Sequence, residues 1–390
     1  MNEIPLSPDL FRGLAELEST PRGVAPHRLS AAVRQRFPDP QLLGMEAQPS
    51  GVRLVFRTAA RSVELVTHPR RTGFRGLERP RGRIDVTING ELSLSDELTG
   101  GDLLEVDLRD GSATSTPGSD HTTTLTLPGT DSLVEIWLPH NEAIEVVALR
   151  SDAPVSPETR RRPVWLHHGS SISQGSNAAA PSETWPALVA RAADVDLRNL
   201  GFGGSAMVDP FVARVMRDAP ADMISVKLGI NVVNLDAMRL RAFVPAVHGF
   251  LDTIRDGHPE TPLLLVSPLF AGIHEDTPGP GAFDPASLAA GTVRFVATGT
   301  PGDTAQGRLT QRVIREALRD IVERRADDAN LYYLDGTEQF GEQDAARLPL
   351  PDDLHPSPEA HRLIGERFVD LAFGPNGSLA GHVRRTSNAP

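Results

Sequence analysis

The sequence has no cysteine, a single lysine and no long apolar segment. The first and the last of these shortages exclude particular kinds of site and structure. Without cysteine, the chain cannot form disulfides, use a thiolate nucleophile, or hold cysteine-based zinc or iron–sulfur sites. No apolar stretch approaches the roughly 18–20 residues that span a bilayer, and the first ten residues lack the pattern of a secretory signal. We therefore expect a soluble, cytoplasmic protein. We attribute the shortage of lysine, with Lys227 the only one, to genomic composition rather than to function.

Basic residues are outnumbered, with 39 lysines and arginines against 51 acidic residues and a net charge of −12. Nucleic acid and anionic membranes both require a basic face, so we expect neither as a partner. The histidines show no spacing typical of a metal site, so we predict no metal. Small molecules are the expected partners, and the oligomeric state is left open.

The first part of the chain predicts an all-β domain. Residues 24–155 contain short apolar or alternating stretches separated by turn residues such as Asn89-Gly90 and Asp110-Gly111. Short strands at this spacing are typical of a β-sandwich. A proline-containing linker follows at residues 151–162. We assign residues 1–155 to a β-sandwich domain with a short leading helical segment.

From residue 163, apolar strands alternate with helical patterns. Five such strands predict an α/β domain over residues 162–373, with a parallel sheet covered by helices on both faces. Ligands of such sheets bind beyond the carboxyl ends of the strands. The long segment 272–303, rich in Gly, Pro and Thr, is expected to form a wall or lid over the site. Residues 374–390 are polar and small, which predicts a disordered tail.

A serine on a tight turn follows the first strand of this domain. In the sequence Gly-Ser-Ser-Ile-Ser-Gln-Gly, residues 169–175, the flanking glycines allow a sharp turn that exposes the hydroxyl of Ser171. The same residues also suit an ordinary strand-to-helix turn with a serine cap. The motif alone leaves both readings open.

Two further motifs end the second and third strands. The sequence Asn-Leu-Gly-Phe-Gly-Gly, residues 199–204, holds closely spaced glycines whose amide groups could stabilise an oxyanion. The sequence Gly-Ile-Asn then places the carboxamide of Asn231 at the end of the third strand, where it could donate to the same oxyanion or cap a turn.

The fourth motif is Asp-Asp-Leu-His-Pro-Ser, residues 352–357, after the fifth strand. Asp352 can accept a hydrogen bond from one ring nitrogen of His355 and leave the other nitrogen to take a serine proton. Asp353 is the competing acid. Its alternative role is to stabilise the start of the following helix through the helix dipole. Alternatively, His355 is an exposed surface histidine without a catalytic role.

The order Ser, Gly, Asn and Asp-x-x-His, each after a strand of one sheet, resembles the motif set of the SGNH (GDSL-like) hydrolase superfamily over residues 162–373. The resemblance implies a flavodoxin-like fold with Ser171 as nucleophile, His355 as general base and Asp352 as the acid that orients it. It also implies an oxyanion hole formed by the Ser171 amide, the Gly204 amide and the Asn231 side chain.

Two positions depart from the family's pattern. Ser170 stands where an acid usually precedes the nucleophile, and Val232 follows the oxyanion asparagine. Other residues must then support the nucleophile turn, and His167 and His168 are the candidates. Trp185, at the start of a helix near the site, is a further candidate for substrate binding, with a place in the core as its alternative.

A sandwich beside an SGNH domain resembles two kinds of enzyme: carbohydrate esterases with carbohydrate-binding modules, and the two-domain salicylyl-acyltransferases of tetracycline tailoring. Their acyl-enzyme chemistry is the same, and they differ in whether water or an alcohol attacks the acyl group. Because no secretory signal is evident, we favour a cytoplasmic acyltransferase of antibiotic biosynthesis. It would move an acyl group from acyl-CoA or another thioester to a hydroxyl of a large natural product.

An esterase that hydrolyses carboxylic esters, including carbohydrate acetyl esters, is the alternative. Neither activity requires a cofactor, since acyl-CoA or another acyl ester enters as a substrate. A non-catalytic binding protein is the third hypothesis. The presence of Ser171, Asn231 and His355 together argues against it.

Overall fold

The computed structural model describes residues 1–108 and 110–383. The chain divides into two compact units. The N-terminal unit comprises Met1–Arg161 with two short additions, Ala179–Glu183 and Leu197–Asn199. The second unit comprises Arg162–Ala178, Thr184–Asp196 and the chain from Leu200 onward.

The N-terminal unit is built mainly from strands. They are β1 (Asn2–Ile4), β2 (Phe11–Arg12), β3 (Glu16–Ser19), β4 (Val24–His27), β5 (Arg53–Thr58), β6 (Ser62–Phe74), β7 (Arg83–Ile88), β8 (Glu91–Glu97), β9 (Asp102–Val106), β10 (Ala113–Thr116), β11 (His121–Thr126), β12 (Ser132–Trp137), β13 (Ala143–Ser151) and β14 (Val155–Pro157). Its two helices are α1 (Ala31–Arg36) and α2 (Pro40–Glu46), and a 3₁₀ turn covers Pro8–Leu10.

These strands form two sheets around one core. The larger sheet has the order β10-β9-β6-β13-β4-β3, with β1 added to β13 and β11 to β6. The smaller sheet has the order β14-β5-β12-β7-β8, with β2 added to β5. Phe56 and Ile136 of the smaller sheet and Leu65 and Val146 of the larger one belong to the same buried cluster. The predicted β-sandwich is confirmed.

The strands and helices of the N-terminal unit differ from the sequence prediction in two ways. β8 was not predicted from the sequence: its Leu92 and Leu94 alternate with polar residues, but most of its residues are polar and all are partly or fully exposed. The helices α1 and α2 follow four strands instead of leading the domain, so the predicted leading helical segment is misplaced.

The second unit alternates strands and helices. Its strands are β15 (Val164–Gly169), β16 (Asp196–Gly201), β17 (Met223–Lys227), β18 (Leu263–Val266), β19 (Gly281–Phe283), β20 (Phe295–Ala297) and β21 (Leu331–Leu334). Its helices are α3 (Ser171–Gln174), α4 (Trp185–Ala192), α5 (Pro210–Asp218), α6 (Ile230–Asn234), α7 (Leu240–Gly257), α8 (Gly272–Glu275), α9 (Pro285–Ala289), α10 (Gln311–Arg324), α11 (Gly336–Gln339), α12 (Glu342–Arg347), α13 (Pro358–Phe368) and α14 (Ala380–Val383), with a π-helical turn at Val369–Phe373.

The main sheet of this unit has five strands in the order β16-β15-β17-β18-β21. β17 and β18 are buried along their whole length, because both sheet faces are covered. In α10 the buried residues Ile314, Leu318 and Ile321 recur at helical spacing and form its apolar face, and the Thr310 hydroxyl caps its first turn. The predicted five-stranded α/β fold is confirmed.

The predicted disordered tail, residues 374–390, reaches beyond the described part of the chain, since residues 384–390 lie outside it. Within the described part, Leu379 is fully buried and Ala380–Val383 forms a helix. The beginning of this segment is therefore ordered, because it contains an apolar residue that packs into the fold. No helix among residues 1–108 and 110–383 has the length and apolar character needed to cross a membrane.

Candidate active site

The turn after β15 places Ser171 at the start of a short helix. The Ser170 hydroxyl accepts a hydrogen bond from the Ile172 N–H at 3.3 Å and serves as the cap of α3. The capping role therefore falls to Ser170, and the hydroxyl of Ser171 has another partner. Position 169 requires glycine, because a Cβ atom there would lie 2.3 Å from the Oγ of Ser173.

A continuous chain of hydrogen bonds joins Ser171, His355 and Asp352. The Oγ of Ser171 lies 2.8 Å from the Nε2 of His355, and the Nδ1 of His355 lies 2.7 Å from the Oδ2 of Asp352. The other carboxylate oxygen of Asp352 accepts hydrogen bonds from the backbone N–H groups of His355 at 2.7 Å and Leu354 at 3.1 Å. The same carboxylate thus stabilises the loop and orients the imidazole ring of His355.

Asp352 determines which ring nitrogen of neutral His355 carries the proton. Burial acts to raise the pKa of this carboxyl, but the hydrogen bonds and charge interaction with His355 outweigh burial and lower it. A carboxylate can only accept, so the proton of neutral His355 is on Nδ1. The lone pair of Nε2 is therefore directed at the Ser171 hydroxyl.

Asp353, the competing acid, is placed elsewhere. Its backbone has a φ of 66°, and its carboxylate pairs with Arg294 at 3.5 Å instead of with the imidazole. The left-handed conformation reverses the chain between Asp352 and His355, so that the Asp352 side chain reaches back to the ring. The structure therefore brings Asp352, and not Asp353, to His355.

The glycine-rich turn after β16 offers one N–H group that has no acceptor in the described part of the chain. The Ser205 N–H closes a turn onto the Phe202 carbonyl at 3.1 Å, with Gly204 at a φ of 68° that favours glycine. The Gly203 N–H donates to the Oε1 of Gln174 at 2.8 Å. Within the described residues the Gly204 N–H has no such acceptor, so it remains available to an oxyanion.

Asn231 lies in α6 and is connected to the same turn. Its Oδ1 accepts a hydrogen bond from the Ala206 N–H at 3.1 Å. Because a backbone N–H can only donate, the atom that faces it must be the oxygen, which leaves the Nδ2 end to donate elsewhere. Hydrogen bonds thus link the glycine turn both to α3, through Gln174, and to Asn231.

A buried polar chain lies beneath the Ser171 turn. The indole N–H of Trp165 donates to the Oγ of Ser225 at 2.8 Å, and His167 bridges that hydroxyl (2.7 Å) and the Oγ of Ser173 (2.8 Å). Burial, followed by the nearby His168 and Lys227, keeps the pKa of His167 well below its ordinary value, so the ring is neutral. His167 thus contacts the turn through Ser173, where the sequence lacks the family's usual acid.

His168 contacts a neighbouring strand instead. Its Nδ1 lies 2.7 Å from the carbonyl oxygen of Leu200 in β16, and burial lowers its pKa to about 4. Of the two histidines proposed as supports, only His167 contacts the Ser171 turn.

The segment 272–303 contributes a small hairpin that covers the histidine. Its strands β19 and β20 pair antiparallel, and the ring of Phe295 stands edge-on to that of His355, with centroids 5.5 Å apart at 74°. The Phe295 N–H also donates to the carbonyl oxygen of Asp352 at 2.9 Å. The segment therefore forms a wall over the site, and its motion stays a prediction.

Trp185 does not bind substrate in this arrangement. Its side chain is fully buried, with its ring centroid 5.1 Å from that of Phe368 and 4.9 Å from that of His167. The Thr184 hydroxyl caps the helix that begins at Trp185. The hypothesis of a substrate platform is therefore wrong, and the core alternative is correct.

Gln174 and Phe295 are site residues that the sequence analysis missed. Gln174 belongs to the serine motif, so its position alone could have suggested a role. Phe295 lies in an irregular segment with no periodic pattern, and no sequence signal predicts its contact with His355. Among residues 1–108 and 110–383, no group of three or more His, Asp or Glu side chains is arranged to hold a metal ion.

Comparisons with known proteins agree with this geometry. The GDSL-like lipase/acylhydrolase family model matches residues 168–363. The model of the SsfX3 N-terminal domain matches residues 10–146. No curated protein gives a significant sequence match.

Solved structures extend the likeness to more than nine tenths of the chain. The salicylyl-acyltransferase SsfX3 from a tetracycline biosynthetic pathway superimposes with a TM-score of 0.76 and 28% identity, covering 94% of this chain and 95% of its own. A protein of Bacteroides ovatus described as a GDSL-like lipase gives 0.63 and 18%, covering 93% and 94%. A family two carbohydrate esterase from Cellvibrio japonicus gives 0.54 and 12%, covering 94% and 95%.

The last two structures share the fold at low identity. SsfX3 has the highest identity of the three, and the model of its N-terminal domain also matches the first part of this chain. The family model itself spans half of the sequence and includes Ser171, Asn231 and His355. The chain belongs to the GDSL-like lipase/acylhydrolase family.

Proposed function

We propose that this protein is a serine acyltransferase that works through an acyl-enzyme on Ser171. The observation that carries the proposal is the chain of hydrogen bonds from Asp352 through His355 to the Ser171 hydroxyl. A serine hydroxyl becomes a nucleophile when a base accepts its proton and an acid orients that base. Each of these roles has a residue at hydrogen-bonding distance.

In the first half-reaction the Oγ of Ser171 attacks the carbonyl carbon of the acyl donor, and its proton passes to the Nε2 of His355. The negative charge that develops on the carbonyl oxygen is stabilised by the amides of Ser171 and Gly204 and the side chain of Asn231. The carbon–sulfur bond of a thioester donor then breaks, and the proton on His355 goes to the departing thiolate. The acyl group is left as an ester on Ser171.

In the second half-reaction a hydroxyl of the acceptor attacks the acyl-serine. His355 takes the proton of that hydroxyl and returns it to the Oγ of Ser171 as the serine ester bond breaks. The products are the acylated acceptor and free enzyme, and no cofactor is consumed. Asp352 stays charged throughout and stabilises the imidazolium of His355.

The likeness to SsfX3 supports transfer over hydrolysis. SsfX3 is described as a salicylyl-acyltransferase of a tetracycline pathway, and it is similar to this chain over both units. We therefore propose acyl-CoA or another thioester as donor, and a hydroxyl of a large natural product, such as an antibiotic precursor, as acceptor. The carbohydrate esterases share the fold, which keeps an esterase as the second candidate.

Intact-mass measurement tests the proposal. The protein is mixed with a panel of acyl thioesters, with and without a polycyclic or sugar alcohol, and the masses of protein and products are followed in time. We expect an acyl adduct that discharges faster onto the alcohol than onto water. Loss of the adduct at the same rate with and without acceptor would indicate an esterase instead.

The neighbouring serines provide a matched pair of variants. S171A should form no adduct and fold normally. S170A removes only the cap of α3 and should keep the adduct, with a stability loss of about 0.5–2 kcal/mol. An adduct in S171A would refute the assignment of the nucleophile.

A further inference from the structure

Two segments that adjoin site residues along the chain belong to the N-terminal unit. Ala179–Glu183 follows the turn of Ser171, and Leu197–Asn199 is the part of β16 that leads into the turn of Gly204. Each segment therefore continues from a turn that carries a proposed oxyanion donor. Within the N-terminal unit, buried polar side chains hold both segments.

Asp85 of β7 holds the first segment. Its Oδ2 accepts hydrogen bonds from the backbone N–H of Ser182 at 3.1 Å and from the hydroxyl of Ser182 at 2.6 Å. Its Oδ1 accepts from the hydroxyl of Ser95, in the neighbouring strand β8, at 2.5 Å. Both Asp85 and Ser182 are fully buried. One carboxylate thus attaches the segment to the smaller sheet through both backbone and side chain.

Arg28 and Ser50 hold the second segment. The Nη1 of Arg28 donates to the carbonyl oxygen of Asn199 at 3.2 Å, and the Nδ2 of Asn199 donates to the Oγ of Ser50 at 3.1 Å. Arg28 also donates to the carbonyl oxygens of Met45 and Glu46 at the end of α2. The side chains of Arg28, Ser50 and Asn199 are fully buried.

Backbone hydrogen bonds connect the first segment to the nucleophile without a loose stretch of chain. The Ser176 N–H donates to the carbonyl oxygen of Ser171 at 3.0 Å, and the Ala178 N–H donates to that of Gly175 at 2.9 Å. The segment held by Asp85 begins at the next residue. A displacement of this segment is therefore passed on to the Ser171 turn.

The second segment leads as directly into the glycine turn. After Asn199 the strand stays buried, and the Phe202 N–H donates to the carbonyl oxygen of Gly169 at 2.8 Å. The turn with the Gly204 N–H follows at once. A displacement of Asn199 is therefore passed along β16 to this N–H group.

The kind of contact matters for an oxyanion hole. Hydrogen bonds are directional, and a buried polar group that loses its partner is destabilising, so such contacts hold a segment in one position more narrowly than apolar packing does. Oxyanion donors stabilise the transition state only when they are positioned in advance, and a misplacement of about 1 Å can cost about 10²-fold in rate.

We propose that Asp85, Arg28 and Ser50 are positioning residues for the reaction at Ser171. Through the two segments they set the spacing of the Ser171 and Gly204 amides. The N-terminal unit then contributes to turnover itself, independently of any contact with substrate. The proposal rests on the proposed function, because it requires Ser171 to be the nucleophile.

Phosphonylation measures this positioning without a choice of acyl donor. The Oγ of Ser171 attacks the phosphorus of an alkyl fluorophosphonate, the serine proton passes to His355 and fluoride leaves. The negative charge that develops on the phosphoryl oxygen needs the same oxyanion donors as an acyl carbonyl does. Intact mass followed in time gives the rate constant, and steady-state kinetics with a thioester substrate give kcat and KM for the same proteins.

The variants remove the contacts one at a time. S50A removes the acceptor of the Asn199 amide, and D85L removes the acceptor of Ser182. We expect each to lower the phosphonylation rate constant and kcat about 10-fold with little change in KM. D85N keeps an oxygen that can accept from Ser182 and should recover most of the rate. If D85L does not fold, S182A takes its place with an expected loss of about 3-fold, since it removes one of the two hydrogen bonds to Asp85.

T58V is the matched control in the same unit. Thr58 is buried, and its hydroxyl donates to the carbonyl oxygen of Pro154 at 2.9 Å and accepts from the Ala60 N–H at 3.1 Å. Neither partner belongs to the two segments. T58V should lower the melting temperature at least as much as S50A does, while its phosphonylation rate constant stays within about 2-fold of wild type.

The outcomes separate this inference from the proposed function. If neither the fluorophosphonate nor any thioester modifies the wild-type protein, the proposed function fails. Modification by the fluorophosphonate alone would refute acyl transfer, while the rate constants of the variants would still decide the positioning role. If folded S50A and D85L, or S182A in place of D85L, react as fast as T58V, the positioning role is wrong and Ser171 remains the nucleophile.

Discussion

Gln174 accepts a hydrogen bond from the Gly203 N–H at 2.8 Å and so connects the turn after β15 to the turn after β16. The two turns carry two of the proposed oxyanion donors, the amides of Ser171 and Gly204. Because Gln174 occupies the N–H of Gly203, the neighbouring N–H of Gly204 is the one left for the substrate. A side chain that never touches the reacting atoms thereby fixes the spacing of the donors.

Replacing Gln174 should therefore lower kcat and leave the free energy of unfolding nearly unchanged. We expect Q174L to lose about 10-fold in kcat, since oxyanion donors act only when they are positioned in advance. Q174E keeps an oxygen that can accept from Gly203 and should recover part of the loss. Steady-state kinetics of the three proteins decide the matter: an effect confined to KM, or equal loss in both variants, would contradict a positioning role.

Asn231 is expected to contribute to the transition state directly. N231A should lower kcat by about 10²–10³-fold with little change in KM, because its amide donates to charge that develops only during the reaction. The matched control is N234A, three residues later in the same helix, where the side chain bonds to His274 at 3.2 Å. N234A should affect stability and leave kcat within a few-fold, and comparable losses in both would argue against an oxyanion role.

The buried histidine His361 should make the protein sensitive to mild acid. Its Nδ1 accepts from the Trp185 N–H at 3.3 Å, so its other nitrogen donates to the Ser176 carbonyl at 2.9 Å and the ring must be neutral. Burial lowers its pKa from 6.5 to about 4. The unfolded chain thus takes up the proton first, and stability present above pH 6.5 is lost as the pH falls toward 4.

The expected slope for this one group is up to about 1.4 kcal/mol per pH unit within that window. In H361Q, an amide can make both hydrogen bonds without titrating, so the slope should decrease by this amount while stability at neutral pH stays similar. Urea unfolding at pH 7, 6 and 5 measures it. An unchanged slope in H361Q would show that another group is responsible.

Phe295 should position the imidazole of His355 through the edge-on contact between the two rings. F295L removes the edge-on ring contact and keeps the backbone hydrogen bond to Asp352, so we expect kcat to fall about 10-fold with the fold intact. F283L changes the other aromatic residue of the hairpin. The ring centroid of Phe283 is 5.2 Å from that of Phe295 and the side chain is exposed, so this variant should have a smaller effect. Equal effects would assign the loss to the hairpin as a whole.

The sequence was sufficient for those parts of the site that depend on local geometry. Asp352 and His355 are three residues apart, so one loop brings them together, and the apolar strands fix which edge of the sheet carries Ser171 and Asn231. The α/β order of the second unit followed from the same apolar runs. In these cases local spacing and the sheet rules determine the outcome.

Contacts between distant loops could not be predicted in this way. Phe295 reaches His355 from a segment without periodicity, and the pairing of Gln174 with Gly203 depends on the turn geometry. The burial of Trp185 depends on its packing against Phe368, far away in the chain. The sequence gives Lys227 no functional signal, because its strand is evident there but the burial of its side chain is not.

The solitary lysine also gives the protein a built-in reporter of its own unfolding. A lysine-specific protease has one site in the chain, and Lys227 is buried at the end of the central strand of the sheet. Cleavage must therefore wait for that strand to open, and each event leaves two fragments from a single cut. Where opening and closing are fast relative to cleavage, the rate of cutting measures the population of the open form. The same chain thus carries a label-free assay with which to compare the stability of every variant that keeps Lys227.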